Sequence, residues 1–222
     1  MAKITRQISR RPNPNKATQP FYRIHLDWFD LEEGWDGYQH EERLVQRCLL
    51  RRCEATGMTL AYFTTCAKEN ENLPIIRDAL NWLHLRYNIA VKIIRSNGEM
   101  NRNKLKAWLT SRGIKFEKCA PDTHEQNGLA ERMGHLIVEK AQAMRLSARL
   151  PHTLWREIIA SAVYLYNRTP KYNLEWKSPY EAFHKVTMLD EGVTGPRKPT
   201  LNYLKAYRCQ SYVLIKLAGD PD

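Results

Sequence analysis

Phe21-Tyr22-Arg23-Ile24-His25-Leu26-Asp27-Trp28-Phe29 is the stretch on which the fold turns. Four aromatic residues and Ile24 in nine positions predict a strand, and a single acid, Asp27, sits inside it. Two further runs of strand character follow at residues 44–53 and 58–66. They are joined by Glu54-Ala55-Thr56-Gly57, a link short enough for a hairpin, so the chain starts with three consecutive strands. The intervening residues 30–42 hold six acids and no Lys or Arg, which predicts an exposed loop or lid.

After residue 66 the period changes. Leu73, Ile76, Leu80, Leu83 and Tyr87 fall at helical intervals, with Pro74 tolerated in the first turn. Residues 89–94 predict a buried strand, residues 101–111 a short helix ending at Gly113, and residues 114–119 another strand. A polar loop at residues 121–128 leads into a long helix marked by Met133, Leu136, Ile137, Ala141 and Met144. A further helix at residues 154–166 stops before Pro170. This order predicts an α/β fold, one mixed sheet with flanking helices. Residues 171–199 read as loop, and residues 201–217 return as one or two short strands. Residues 1–20 carry five Lys or Arg, several prolines and no acid, the composition of a disordered basic arm.

Composition narrows the function. The 222 residues are 43% hydrophobic and 27% charged, which excludes a wholly disordered chain, and the net charge of +11 points to a polyanionic partner. The five cysteines, Cys48, Cys53, Cys66, Cys119 and Cys209, include no C-x-x-C pair, so neither a disulfide framework nor a zinc ribbon is expected and a reducing compartment fits. No apolar run is long enough to span a membrane, and a soluble intracellular protein is expected.

Phosphoryl transfer on nucleic acid commonly uses two divalent cations, which are hard and favour carboxylate oxygens. The candidate donors are Asp27 in the first strand, Glu131 at the start of the long helix, and Asn97-Gly98-Glu99 beyond the strand at residues 89–94. Strand ends of this kind converge on one rim of an α/β sheet. Lys92, Arg95, Lys104, Lys106 and Arg112 add positive charge near the second position, and Arg132 and His135 follow Glu131, His135 by one helical turn. Plainer roles exist for each. Asp27 is otherwise a salt-bridged strand residue, Glu131 a first-turn acid favoured by the helix dipole, and the six tryptophans core anchors.

Glu125-Gln126-Asn127-Gly128-Leu129-Ala130-Glu131-Arg132 resembles the Q-N-G-x-A-E-R signature of Ty1/copia-type retrotransposon integrases. Ile94-Arg95-Ser96-Asn97-Gly98-Glu99 resembles the segment around the second aspartate of that family. Tyr166-Asn167-Arg168-Thr169-Pro170, Ser178-Pro179-Tyr180-Glu181 and Leu204-Lys205-Ala206-Tyr207-Arg208-Cys209 resemble its later segments, in the same order. The resemblance implies an RNase H-like core at residues 21–170 with a mixed five-stranded sheet. A linker and a short strand-containing C-terminal extension would follow at residues 171–222. It further implies two Mg²⁺ or Mn²⁺ ions on a D, D, E triad, and processing and joining of element-end DNA to target DNA by a homo-multimer in the nucleus, with cytoplasmic particles as a second location. Position by position the triad falls on Asp27, Asn97 and Glu131; around it, the expected DNA-contacting set is Arg95, Lys104, Lys106, His124, Asn127, Arg132 and His135. His124 and Gly128 belong, on this reading, to a loop that flexes as DNA docks.

Asn97 departs from the pattern. An amide offers an oxygen but no charge, so the site is expected to be nearly inactive unless Glu99 substitutes. The resemblance also implies an upstream zinc module of paired His and Cys residues, neither of which occurs in residues 1–20, so the chain is expected to be a fragment of a polyprotein. Three competing readings remain open: a catalytically dead nucleic-acid-binding relic, an RNase H-type nuclease acting on RNA–DNA hybrids, and a basic RNA-binding domain.

Overall fold

The computed structural model describes residues 16–30, 47–64, 69–96, 103–118, 124–151, 154–187, 198–206 and 209. The elements run β1 (Arg23–Asp30), β2 (Arg47–Cys53), β3 (Thr59–Thr64), α1 (Glu69–Tyr87), β4 (Ile93–Ser96), α2 (Asn103–Ser111), β5 (Lys115–Lys118), α3 (His124–Ser147), α4 (Trp155–Arg168) and α5 (Pro179–Thr187). The strands form one five-stranded sheet in the order β3-β2-β1-β4-β5. β1 pairs antiparallel with β2 and parallel with β4, while β5 is parallel to β4, so the sheet is mixed as expected.

Alternation along β1 sorts the core into two layers. Ile24, Leu26 and Trp28 join Leu49, Cys53 and Ile94 on one face, under Ile76, Leu80 and Leu83 of α1 and Leu105 and Leu109 of α2. On the other face Cys48 and Leu50 of β2 meet Met133, Ile137 and Ala141 of α3 and Trp155, Ile158 and Ala162 of α4. Each large aliphatic side chain so buried contributes about 1.5–3 kcal/mol.

Several expected boundaries move. α1 begins at Glu69, one turn before Leu73, so Pro74 lies in the second turn; acids in a first turn favour that earlier start. Asn88, left-handed at φ 51, closes α1, its N–H donating to His84 O at 2.9 Å. The chain then turns back through residues 89–92, and the strand expected at 89–94 forms at Ile93–Ser96 instead. Gly113 (φ 66) closes α2 with its N–H on Thr110 O at 3.0 Å and the Ile114 N–H on Leu109 O at 2.9 Å, a paired arrangement that needs a residue free to take positive φ.

The polar loop expected at residues 121–128 is corrected, because α3 is already helical from His124. Thr123-x-x-Gln126 is a helix-start pattern that outweighs the turn signal of Asn127-Gly128, since a helical Gly costs only about 1 kcal/mol. Glu131 is therefore the eighth residue of α3, in its third turn, and the helix dipole acting on a first turn does not account for it.

The loop expected over residues 171–199 is also corrected. A single 3-10 turn (Tyr172–Leu174) precedes α5, which starts at a reciprocal cap. The Glu181 N–H donates to Ser178 Oγ at 3.2 Å, while the Ser178 N–H donates to Glu181 Oε2 at 2.8 Å. α5 buries Phe183 edge-on against Phe21 and Tyr87, with ring centroids 5.4 and 4.9 Å away. Residues 201–206 and 209 form no strand, and the rest of the expected 201–217 strands lies outside the described residues, as do residues 31–42 of the acidic loop and residues 1–15 of the basic arm.

Residues 16–20 lie against the sheet, where the Ala17 N–H donates to Glu54 Oε2 at 2.8 Å. Glu54 is the centre of a buried polar group. Arg23 Nη1 reaches its Oε2 at 2.8 Å and His25 Nε2 stands 3.5 Å from its Oε1. Arg23 Nε lies 3.5 Å from Glu117 Oε2, which also takes Arg95 Nη2 at 2.6 Å. Burial alone would raise the Glu54 carboxyl, but the His25 ring, the Ala17 N–H and the Arg23 guanidinium outweigh it and hold the pKa at about 2.

A carboxyl lowered from 4.5 to about 2 on folding stabilises the protein fully above the unfolded value, and that contribution is lost as pH falls between the two. It amounts to about 3 kcal/mol, so Glu54→Gln should flatten the acid limb of a stability-versus-pH curve below pH 4.5 and lower stability at pH 7, as read by urea unfolding. Ser178→Ala should cost about 0.5–2 kcal/mol in the same assay, with no change in its pH dependence.

Candidate active site and nucleic-acid interface

Asp27 pairs in register with Leu50, and Phe29 with Cys48, both of which belong to the layer under α3 and α4. Residues two apart on a strand share a face, so the Asp27 carboxylate is on the α3 side of β1, 8% exposed. α3 packs over β1 there, with position 134 facing the Phe29 ring: a Cβ added at Gly134 would stand 3.9 Å from it, at ordinary van der Waals contact. Glu131, one turn earlier, is half-buried at the margin of the stripe formed by Met133, Ile137 and Ala141. The structure thus brings Asp27 and Glu131 to the same face of the sheet, from positions 104 residues apart in the chain.

The third position is approached by β4. Its ladder with β1 ends at Leu26↔Ser96, one residue short of Asp27 on β1 and directly before Asn97 in the chain. Asn97 and Glu99 lie outside the described residues. Among the described residues no group of three or more His, Cys, Asp or Glu converges. The donors that are described, two carboxylates on one face, have the oxygen chemistry that a hard divalent cation takes.

The basic residues distribute unevenly. Arg132 and His135 are exposed on α3 beside Glu131, as the helical spacing predicts. Arg95 is held by Glu117 through both Nε, at 3.1 Å, and Nη2, at 2.6 Å. Lys104 and Lys106 are on α2, which packs with α1 on the opposite face of the sheet from Asp27. Arg112 donates to Asn81 Oδ1 at 2.9 Å, at the C-terminal end of α2. His124 and Asn127 have their backbone in the first turns of α3, and their side chains are not described.

Sequence reasoning missed a second group of cations. Arg52 sits beside His25 in the β1–β2 register, on the Asp27 face. Lys171, just beyond α4, places Nζ 3.9 Å above the Tyr166 ring. Burial lowers the Lys171 pKa, and the neighbouring charges of Lys140 and Arg52 lower it further. Alternation from Asp27 would have found Arg52, but nothing local joins positions 52, 140 and 171.

No protein-family model matches the chain. It is 33% identical over 127 residues to the retrovirus-related Pol polyprotein from transposon TNT 1-94 of Nicotiana tabacum, a match covering 56% of this chain and 9% of that protein. It is 32% identical over 112 residues to the polyprotein from transposon RE2 of Arabidopsis thaliana, covering 50% of this chain and 7% of the relative. The chain thus spans less than a tenth of the length of these curated relatives. Among solved structures it resembles the HTLV-2 integrase catalytic core domain in complex with magnesium, with a TM-score of 0.52 at 15% identity over 76% of this chain and 97% of that one. It also resembles a chain of the simian T-cell lymphotropic virus intasome in complex with PP2A regulatory subunit B56 gamma, with a TM-score of 0.58 at 14% identity over 87% of this chain and 63% of that one. The chain is homologous to a segment of the retrovirus-related Pol polyproteins of plant copia-type transposons, and it has the RNase H-like fold of a retroviral integrase catalytic core.

Proposed function

We propose that this chain is the catalytic core of a copia-like integrase, whose ancestral reaction is 3′-end processing and strand transfer of element DNA, and that this copy is impaired by Asn97. The observation that supports the reading is the placement of Asp27 and Glu131 on the same sheet face, in a fold whose solved neighbour is described in complex with magnesium. Asp27 and Glu131 would hold the divalent ions, with the Asn97 amide oxygen in the third place. Two bound Mg²⁺ or Mn²⁺ ions supply activation of the attacking oxygen and stabilisation of the leaving one. The protein's part is orientation. β1, paired with β2 at Asp27, fixes that side chain on the α3 face, and the packing of Met133, Ile137 and Ala141 over Cys48 and Leu50 seats α3 and hence Glu131. Arg132 and His135, exposed one and four residues on, are placed to hold phosphate oxygens of the DNA.

Asn97 lowers the charge facing the metal from three negative charges to two. Disturbing even the outer partners of a metal ligand costs about 10–100-fold, so losing a ligand charge should cost at least that. DNA binding does not need that charge, which supports a second reading, a relic that binds element DNA without turning it over. The assembly is expected to be a homo-multimer acting on nuclear DNA.

The test is Mg²⁺- and Mn²⁺-dependent strand transfer with labelled DNA carrying the parent element's ends, with an RNA–DNA hybrid as the competing substrate. Asn97→Asp should join DNA at least about 100-fold better than the chain as it stands, and Asp27→Asn or Glu131→Gln in that background should abolish joining. Equal activity of the natural chain and Asn97→Asp would overturn the charge argument, and cleavage of the hybrid alone would replace the integrase reading with a nuclease.

A further inference from the structure

The segment joining α4 to α5 is closed on itself. The Lys171 N–H donates to Lys177 O and the Trp176 N–H to Lys171 O, both at 3.0 Å, so the turn is pinned at both ends. Within it Glu175 (φ 55, ψ 42) and Trp176 (φ 63) are both left-handed. Gly or Asn takes that conformation readily, whereas a bulky side chain there is a steric outlier. The residue adopting it is nonetheless a tryptophan, and it gains no burial in return. Trp176 is 69% exposed and Tyr172 is 82% exposed, their rings edge-to-face with centroids 5.9 Å apart. A strained, exposed aromatic pair is the reverse of what packing alone would select.

The surroundings are cationic. Glu175 is the only acid of residues 171–177 and is already bonded by Lys177 Nζ at 3.0 Å. Lys171 extends the charge toward Lys140 of α3 and Arg52 of β2. Arg52 shares the Asp27 face of the sheet, two residues along from Asp27 when read across to His25. Open ring faces beside a run of cations suit a ligand that carries both flat apolar surfaces and regularly spaced negative charge. That combination is unpaired nucleic acid, since a duplex hides its base faces.

We infer that the 171–177 turn is a docking site for single-stranded DNA, with a base stacked on Trp176 beside Tyr172 and the adjoining phosphates on Lys171, Lys140 and Arg52. The inference rests on the DNA-acting reading above and deepens it by placing a strand-binding subsite on the same sheet face as Asp27.

The test is metal-free binding of a fluorescein-labelled oligothymidine and of a blunt duplex of equal length, followed by anisotropy over a salt series. Trp176→Ala should weaken single-strand binding about tenfold, with duplex affinity changed less than about twofold. Trp176→Gly should show the same loss while raising the thermal midpoint, because Gly relieves the left-handed strain; a merely structural role for the tryptophan would not separate the two readouts. Lys171→Ala should reduce the single-strand salt slope by about 0.7. Single-strand affinity unchanged in both Trp176 variants would overturn the inference while leaving the integrase reading intact. Failure of the unaltered chain to bind either DNA would overturn both.

Discussion

β1 is hydrogen-bonded to β2 along one edge and, as far as Leu26, to β4 along the other, it is covered on both faces, and most of the structure answers the problem that this creates. Its even positions, Ile24, Leu26 and Trp28, are apolar, but its odd positions, Arg23, His25 and Asp27, are polar and equally buried. Buried polar side chains are costly unless partnered. The N-terminal half is resolved internally: Glu54 and Glu117 meet Arg23, His25 and Arg95, and the chain before β1 adds the Ala17 N–H. The polar face of one strand is thereby divided. Arg23 and His25 belong to a structural charge network, and Asp27, further along, belongs to the candidate site.

The division explains why Arg95 is a poor candidate for holding phosphate despite its place in the family-like segment. Its guanidinium is aligned in register with Glu117 on the neighbouring strand, and two N–H groups converge on a single carboxylate oxygen. Moving it to DNA would leave Glu117, among the described residues, with the longer contacts from Arg23 and the exposed Lys115. The group formed by Arg52, Lys140 and Lys171 lies instead on the α4 side of the sheet, with Lys171 Nζ over the Tyr166 ring. Arg95 is therefore structural, whereas the Arg52, Lys140 and Lys171 group is assembled from distant parts of the chain.

What could be read from the sequence follows the same line between local and distant information. β1, β2, β3 and α4 were legible because strand alternation, hairpin length and helical period are properties of a few neighbouring residues. The start of α3 and the existence of α5 were also locally encoded, in Thr123-x-x-Gln126 and Ser178-x-x-Glu181, but turn-forming and proline-containing neighbours masked both. The register of β4 was not local at all: Lys92 and Ile93 both donate to Tyr22 O, seventy residues back, and that contact decides where the strand begins. Asp27 and Glu131 were legible as candidates, and their shared face follows from alternation once Leu50 is known to lie under α3. The Arg52, Lys140 and Lys171 group was not, because no spacing rule connects residues that only the closed sheet brings together.

Under the proposed function, Asn97 separates two properties that an intact integrase couples. A carboxylate at that position serves the metal but repels phosphate, because ion and DNA approach the same rim. Its replacement by an amide removes attraction for the cation and repulsion of the polyanion in one step. The cations on α3 and around the 171–177 turn are supplied by other elements of the chain. A chain so altered is expected to keep its affinity for DNA while losing turnover, and the stability of the core gives no opposing pressure, because the buried network around Glu54 sits at the other end of β1. On that reading catalysis would depend on one charge just beyond a short strand and binding on several elements, so a single substitution would remove the first and leave the second.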